Sequence, residues 1–201
     1  MTRPSFDPRP IVLTGMHVVL RPLALEHARD LVAAGEVDAT WLYMPRPALR
    51  SVEDAESMIR QALVEFEAGR EVAFAITGKA TGKAVGSTRF LDIQKSHRAI
   101  EIGWTWIGAA WQRTALNTES KLLLLTHAFE DLGANRVALK TDARNLRSQR
   151  AIERIGGVRE GVLRRHRVCW DGSVRDTVYY GIIDVEWPRV KAHLLGMLAA
   201  R

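Results

Sequence analysis

The chain has 201 residues, 47% hydrophobic and 26% charged, a balance that fits one soluble globular domain with a sizeable core. No window approaches the roughly 20 apolar residues of a membrane span, and Cys169, the only cysteine, excludes an internal disulfide and a thiolate metal cluster. Twenty-nine basic against 23 acidic residues leave a net charge of +6, which suits an anionic ligand, an acidic partner or nucleic acid without choosing among them.

The first 15 residues, with prolines where a secretory signal would carry its apolar run, read as a flexible lead-in without export. With the lone cysteine, this predicts a reducing, cytoplasmic setting. Residues 16–201 read as a single domain. "HVVLRPL" (17–23) is a strand that stops at Pro22, and "LEHARDLVAAG" is a short helix ended by Gly35. An aromatic, proline-rich loop around Trp41–Leu49 precedes a longer helix capped by Ser51, with Glu53 and Asp54 in its positive first turn. Three strands follow, "EVAFAITG", "AVGSTRFLDI" and "RAIEIGWTWI".

"WQRTALNTESKLLLLTHAF" then joins a polar stretch to an apolar helix whose start is expected at Asn117–Thr118, with Leu122, Leu125, Phe129 and Leu132 on its main buried face. "RVALKTD" is a strand, and "NLRSQRAIERIGG" is a helix capped by Asn145. Two strands flank the turn Asp171–Gly172 as a hairpin, and a closing helix carries Pro188 in its first turn. Strand, two helices, three antiparallel strands, helix, strand, helix, two strands, helix: the order predicts a mixed α+β domain.

A helix start exposes up to four unpaired N–H groups and a partial positive charge, which suits a phosphate. Ahead of Thr118 stand Gln112, Arg113, Thr114, Ala115, Leu116 and Asn117, rich in side-chain donors; Asn117 or Thr118 serves equally well as a plain cap. In "AIEIGWTWI", alternation predicts Ile100, Ile102, Trp104 and Trp106 on one face and Glu101, Gly103 and Thr105 on the other. The second face is small except for one carboxylate, so Glu101 is either a groove-floor residue or a solvated one. Asn145 and Ser148 fit a cap and its first-turn partner, or a ligand lying across the sheet. Arg164, Arg165, His166 and Arg167 form a basic cluster for an acidic acceptor or a solvated face. Cys169 has no paired base to make it a nucleophile.

The element order, with "LGANRVALKTDARNLRSQRAIERIGGVREG" and "DGSVRDTVYYGIID…EWP", resembles the GNAT superfamily of acyl-CoA-dependent N-acetyltransferases. More narrowly it is similar to the RimJ/RimL-like branch, whose founding members acetylate N-termini of ribosomal proteins; the likeness runs from about Val18 to Trp187. It implies a mostly antiparallel, splayed central sheet flanked by helices, with acetyl-CoA as cosubstrate, no metal, and entry between the strand carrying Glu101 and "RVALKTD". The family's pyrophosphate loop, Gln/Arg-x-x-Gly-x-Gly/Ala, corresponds to Gln112–Asn117, where Ala115 and Asn117 replace the small positions. Arg113, Thr114 and Thr118 are expected to compensate.

The resemblance also implies that Asn145 contacts the pantetheine region and that Ser148 protonates the departing thiolate. Glu101 is expected to accept the amine proton, with His166 in reserve, and a backbone N–H near Ile107–Gly108 to hold the developing oxyanion. Tyr43, His166 and Tyr179 are the acceptor-pocket candidates. The acceptor is expected to be a protein N-terminal α-amine, against a small amine, amino acid or drug-like molecule, or an inactive binding module; nucleic acid enters only through association with the ribosome. The family often pairs, so the resemblance leaves a homodimer open, a state that the sequence does not settle.

Overall fold

The computed structural model describes residues 4–200; the first three residues of the lead-in and Arg201 lie outside the described residues. Eight strands form one sheet: β1 (Leu13–Thr14), β2 (Val18–Pro22), β3 (Val72–Gly78), β4 (Ala84–Gln94), β5 (Ala99–Ile107), β6 (Arg136–Asp142), β7 (Val158–Val168) and β8 (Val174–Ile183). Their spatial order is β1-β2-β3-β4-β5-β6-β8-β7, antiparallel everywhere except β5 beside β6. The helices are α1 (Ala28–Ala34), α2 (Val52–Glu67), α3 (Ala115–Thr126), α4 (Leu146–Arg154) and α5 (Trp187–Ala199).

The sheet is covered on both faces, so it carries two cores. Leu31, Ala55, Met58 and Ile59 of α1 and α2 pack with Trp41, Ala75 and Trp106 on one face. Leu116, Leu124 and Leu125 of α3, Ile152 of α4, and Val190 and Leu194 of α5 pack with Phe74, Phe90, Ile100, Ile102 and Tyr180 on the other. This explains why β3 reads as a nearly continuous apolar run, with both faces needing to be filled.

Local signals set the element ends. Ser51 Oγ accepts from Asp54 N while the Asp54 carboxylate accepts from Ser51 N, closing a capping box on α2. A π-helical turn, His127–Asp131, extends α3, and Gly133 ends it at φ +62°, where a side chain would be strained. In the lead-in, Phe6 is buried in the α3-side core, Arg98 Nη2 donates to Pro4 O, and β1 pairs with β2.

Two irregularities shape the middle of the sheet. β5 pairs with β6 only from Ala99↔Arg136 to Glu101↔Ala138. Beyond that, β5 stays with β4 as far as Ile107↔Gly86, while β6 stays with β8 as far as Asp142↔Thr177. The two parallel strands therefore splay apart after Glu101. Within the diverging stretch of β5, Trp104 is an extra residue between the pairs Arg89↔Gly103 and Ser87↔Trp106, with φ +49°. Such a bulge bends the strand and resets its alternation. The predicted single face of Ile100, Ile102, Trp104 and Trp106 is thus corrected: Ile100 and Ile102 enter the α3-side core, and Trp106 enters the α1/α2-side core.

Candidate active site

The splay opens a cleft of about 550 Å³ that passes through the sheet. On the α3/α4 side it is lined by Asn117, Lys121, Ser148 and Ile152, and on the α1/α2 side by Thr40, Tyr43, Met44, Trp106 and Glu101. Among the described residues, seven that line it are basic (Arg113, Lys121, Lys140, Arg147, Arg154, Arg167 and Arg175), and Glu101 is the sole carboxylate in the lining. A channel so charged attracts a polyanion.

The turn into α3 forms one end. The helix begins at Ala115, not at the expected Asn117–Thr118, and its cap is Thr114, whose Oγ1 accepts from Leu116 N at 3.4 Å. The shift follows from Arg113, which stands at φ +62° and turns the chain into the helix three residues early. Thr118 is consequently a full turn inside and buried, its hydroxyl accepting from Arg154 Nη2 at 3.4 Å, and it does not line the cleft. Leu116 points its side chain into the core, and neither it nor Ala115 lines the cleft, leaving both to contribute backbone alone. Gln112, Arg113, Thr114 and Asn117 do line it. Gln112 ties the corner together: its Nε2 donates to Ile107 O at 3.0 Å, and its Oε1 accepts from Arg147 Nη1 at 2.9 Å.

At the opposite wall Asn145 caps α4, Oδ1 accepting from Ser148 N at 3.0 Å. Both residues line the cleft, so the cap orients a helical turn that forms part of its wall.

Where the strands part, Glu101 is buried, with its Oε2 2.6 Å from Lys140 Nζ. Burial raises the Glu101 pKa, against the pull of the Lys140 ammonium. The carboxylate lies over Gly103, where a Cβ would come within 2.8 Å of Oε1.

Further along β5, Gly108 N donates to Val85 O at 2.8 Å, which removes it as an oxyanion donor. Backbone groups of successive residues in an antiparallel ladder turn to opposite sides, so those of Ile107 turn away from β4. The Ile107 carbonyl meeting Gln112 fits that direction. Of the expected pair, Ile107 remains.

The acceptor candidates divide. Tyr43 lines the cleft, with the Arg144 guanidinium 6.0 Å from its ring centroid. His166 and Tyr179 do not line it; their rings meet edge to face at 5.7 Å, and His166 Nδ1 lies 3.1 Å from Thr177 Oγ1. Desolvation, then the charges of Arg167, Lys140 and Arg175, lower the His166 pKa, keeping the ring neutral at neutral pH. Of the basic run, Arg167 reaches the cleft and Arg165 sits in a second bulge at φ +49°.

Sequence reasoning missed Lys140 and Lys121. Each had a legible signal: a lysine inside the otherwise apolar strand "RVALKTD", and one a turn beyond Asn117 at the head of "KLLLL".

Comparison with known proteins agrees with this geometry. Residues 17–158 match the acetyltransferase (GNAT) domain family. A GCN5-related N-acetyltransferase from Brucella melitensis superposes with a TM-score of 0.91 at 28% identity, over 98% of this chain and 89% of that one. YdaF of Bacillus subtilis (strain 168), whose name conjectures a ribosomal N-acetyltransferase, is 33% identical over 106 residues, 53% of this chain and 57% of its own. RimJ of Mycobacterium smegmatis, solved with CoA-disulfide, shares the fold with a TM-score of 0.81 at 21% identity, over 98% of this chain and 97% of that one. The splayed β5–β6 pair, the basic cleft through it and the family match lead to one conclusion: the chain belongs to the GNAT acetyltransferase family and is an N-acetyltransferase.

Proposed function

We propose that the cleft binds acetyl-CoA with its diphosphate at the turn Gln112–Asn117, and that the acetyl group passes directly to a protein N-terminal α-amine. The observation that carries this reading is the parting of β5 and β6 after Glu101, which opens a basic passage from the α3/α4 face to the α1/α2 face. The residues fit the group: arginines line the cleft beside the turn, Arg113 ahead of α3 and Arg147 and Arg154 on α4, and the first turn of α3 offers N–H groups that no helical carbonyl can take. Arg113 and Asn117 supply side-chain donors where the family's loop has bare backbone, while the Thr114 hydroxyl, donating to Trp111 O at 2.7 Å, holds the turn in shape.

The thioester supplies an activated acyl group; the chain supplies the proton transfers and the positioning. Glu101, facing the acceptor side, takes the amine proton directly or through one water, and its pairing with Lys140 favours the ionised form that this task needs. Ser148, on the cofactor side, donates to the departing sulfur. Ile107 N–H is the donor for the developing oxyanion. An α-amine has a pKa near 8 against about 10.4 for a lysine, so deprotonating it asks less of a single carboxylate at neutral pH. The likeness to YdaF supports a ribosomal N-terminus as the acceptor.

Thiol release from acetyl-CoA, measured with a panel of N-terminal peptides and small amines, tests the reading. It predicts turnover with free peptide α-amines that is abolished when the same peptides are N-blocked. Turnover with small amines alone moves the acceptor to that class, and Ser148→Ala without effect on kcat removes Ser148 as the acid.

A further inference from the structure

The proposed chemistry leaves one buried ionisable group in the cleft unused. Lys121, on α3, lines the cleft yet is only 6% exposed, and its Nζ donates to Thr105 Oγ1 at 2.6 Å. That acceptor is neutral and already shared, since Thr105 Oγ1 lies 2.8 Å from Thr88 Oγ1. Among the described residues no carboxylate comes within ion-pair distance of Lys121.

Glu119, two residues earlier, is directed elsewhere: its carboxylate accepts from the N–H groups of Met16, His17 and Val18. The charged groups facing the same cleft are Arg113 ahead of α3, Arg147 and Arg154 on α4, Glu101 on β5, Lys140 on β6, and Arg167 and Arg175 on the hairpin; all but Glu101 are cations, and Glu101 is held by Lys140. A lysine buried this way pays the full desolvation of its charge for one hydrogen bond to a hydroxyl, and burial pushes it down to about 7. It gains when an oxygen acceptor fills the cleft beside it.

We infer that Lys121 is a cofactor-positioning residue whose ammonium hydrogen-bonds an oxygen of the acyl-CoA arm between the diphosphate and the thioester, so that cofactor binding draws a proton into the cleft. The location fits. Lys121 lies about 10 Å along the helix from the capping residue Thr114, on the side of α3 that carries Asn117, and so beside the arm and beyond the phosphates. Thr105 holds the ammonium at the bulged stretch of β5, the segment the arm passes. This rests on acetyl-CoA occupying the cleft as proposed above.

The sign of the linkage follows. In the free protein Lys121 is largely neutral above pH 7; an acceptor oxygen in contact favours the charged form and raises its pKa. Binding therefore takes up a proton at alkaline pH, and affinity falls as pH rises from about 7 toward the ordinary lysine range.

Calorimetric titration of the full chain with acetyl-CoA at about pH 8, in two buffers of different ionisation enthalpy, tests this; phosphate, with its pKa near 6, is silent there. The wild type should take up a large part of one proton. Lys121→Met should take up none and bind about 10-fold or more weakly below pH 7, where the wild-type ammonium is charged. Lys121→Gln should also lose the uptake while keeping part of the affinity, a result that mere loss of packing would not produce. A wild type that binds with no more uptake than either variant overturns the inference and leaves the cofactor site standing. A wild type with no saturable binding overturns the cofactor site itself, and the role of Lys121 with it.

Discussion

Glu101 Oε2 lies 2.6 Å from Lys140 Nζ, at the last residue of β5 still paired with β6. The ion pair thus bridges the vertex from which the two strands diverge. It fixes a carboxylate at the inner end of the cleft and neutralises it with a cation from the opposite wall. Burial pushes the Glu101 pKa up while Lys140 pulls against it, leaving a carboxyl more basic than one in water.

Glu101→Gln is expected to lower kcat/KM by about 10²- to 10⁴-fold, the usual contribution of a positioned base. A base works deprotonated, so wild-type activity should rise with pH through the Glu101 pKa, at a point above the ordinary carboxylate range. That acidic limb should be absent in the variant. A pH profile of kcat/KM for both proteins checks it; an unchanged limb in Glu101→Gln removes Glu101 as the base.

Lys140→Met leaves the buried carboxylate without its cation, so its pKa should climb further and the acidic limb should move to higher pH. Removing one partner of a buried pair destabilises by about 3–5 kcal/mol. The loss should be largest above the raised pKa and shrink as pH falls through it, because protonated Glu101 needs no counter-charge. Urea unfolding of wild type and variant across the acid range measures both effects.

The opposite sign applies at Lys121. Its folded-state pKa lies below the unfolded value, so the unfolded chain binds more protons between about pH 7 and the ordinary lysine pKa, and stability rises with pH across that window. Lys121→Met should therefore be more stable than the wild type at pH 7 by about 1–4 kcal/mol, with the difference fading toward pH 10. Thermal unfolding at the two pH values shows whether the gap closes.

Glu119 makes a purely structural prediction. One carboxylate takes three N–H groups at 2.7–2.8 Å and clamps the start of β2 to α3. The Gly15 position lies against that carboxylate, leaving no room for a Cβ. Glu119→Gln replaces two oxygens by one and should cost about 2–3 kcal/mol in denaturant unfolding, with KM for acetyl-CoA unchanged.

The element order and the caps at Ser51 and Asn145 could be read from the chain because they rest on local chemistry, whereas the location of the cleft came from the family resemblance. Side-chain oxygens beside helix starts, glycines beyond helix ends and apolar periodicity are all written in consecutive residues. What failed was non-local. The Trp104 bulge breaks the alternation of β5 although "IEIGWTWI" alternates without a gap, because the extra residue is defined only against β4. The start of α3 moved to Ala115 because Arg113 takes a left-handed turn, which favours no arginine in advance. Phe6, in the proline-rich lead-in, joins the α3-side core through contacts that composition does not show. Lys121 and Lys140 stayed hidden because a lysine usually signals solvent, and only the packed fold shows both drawn inward.

A crystal structure with acetyl-CoA tests the central claim most directly. The account predicts the diphosphate against the turn Gln112–Asn117 and the arm running between Ile102–Ile107 of β5 and Leu139–Asp142 of β6, with the thioester near Glu101 and Ser148. Saturating ligand bound elsewhere, with the gap between those strands left to protein side chains, would contradict it.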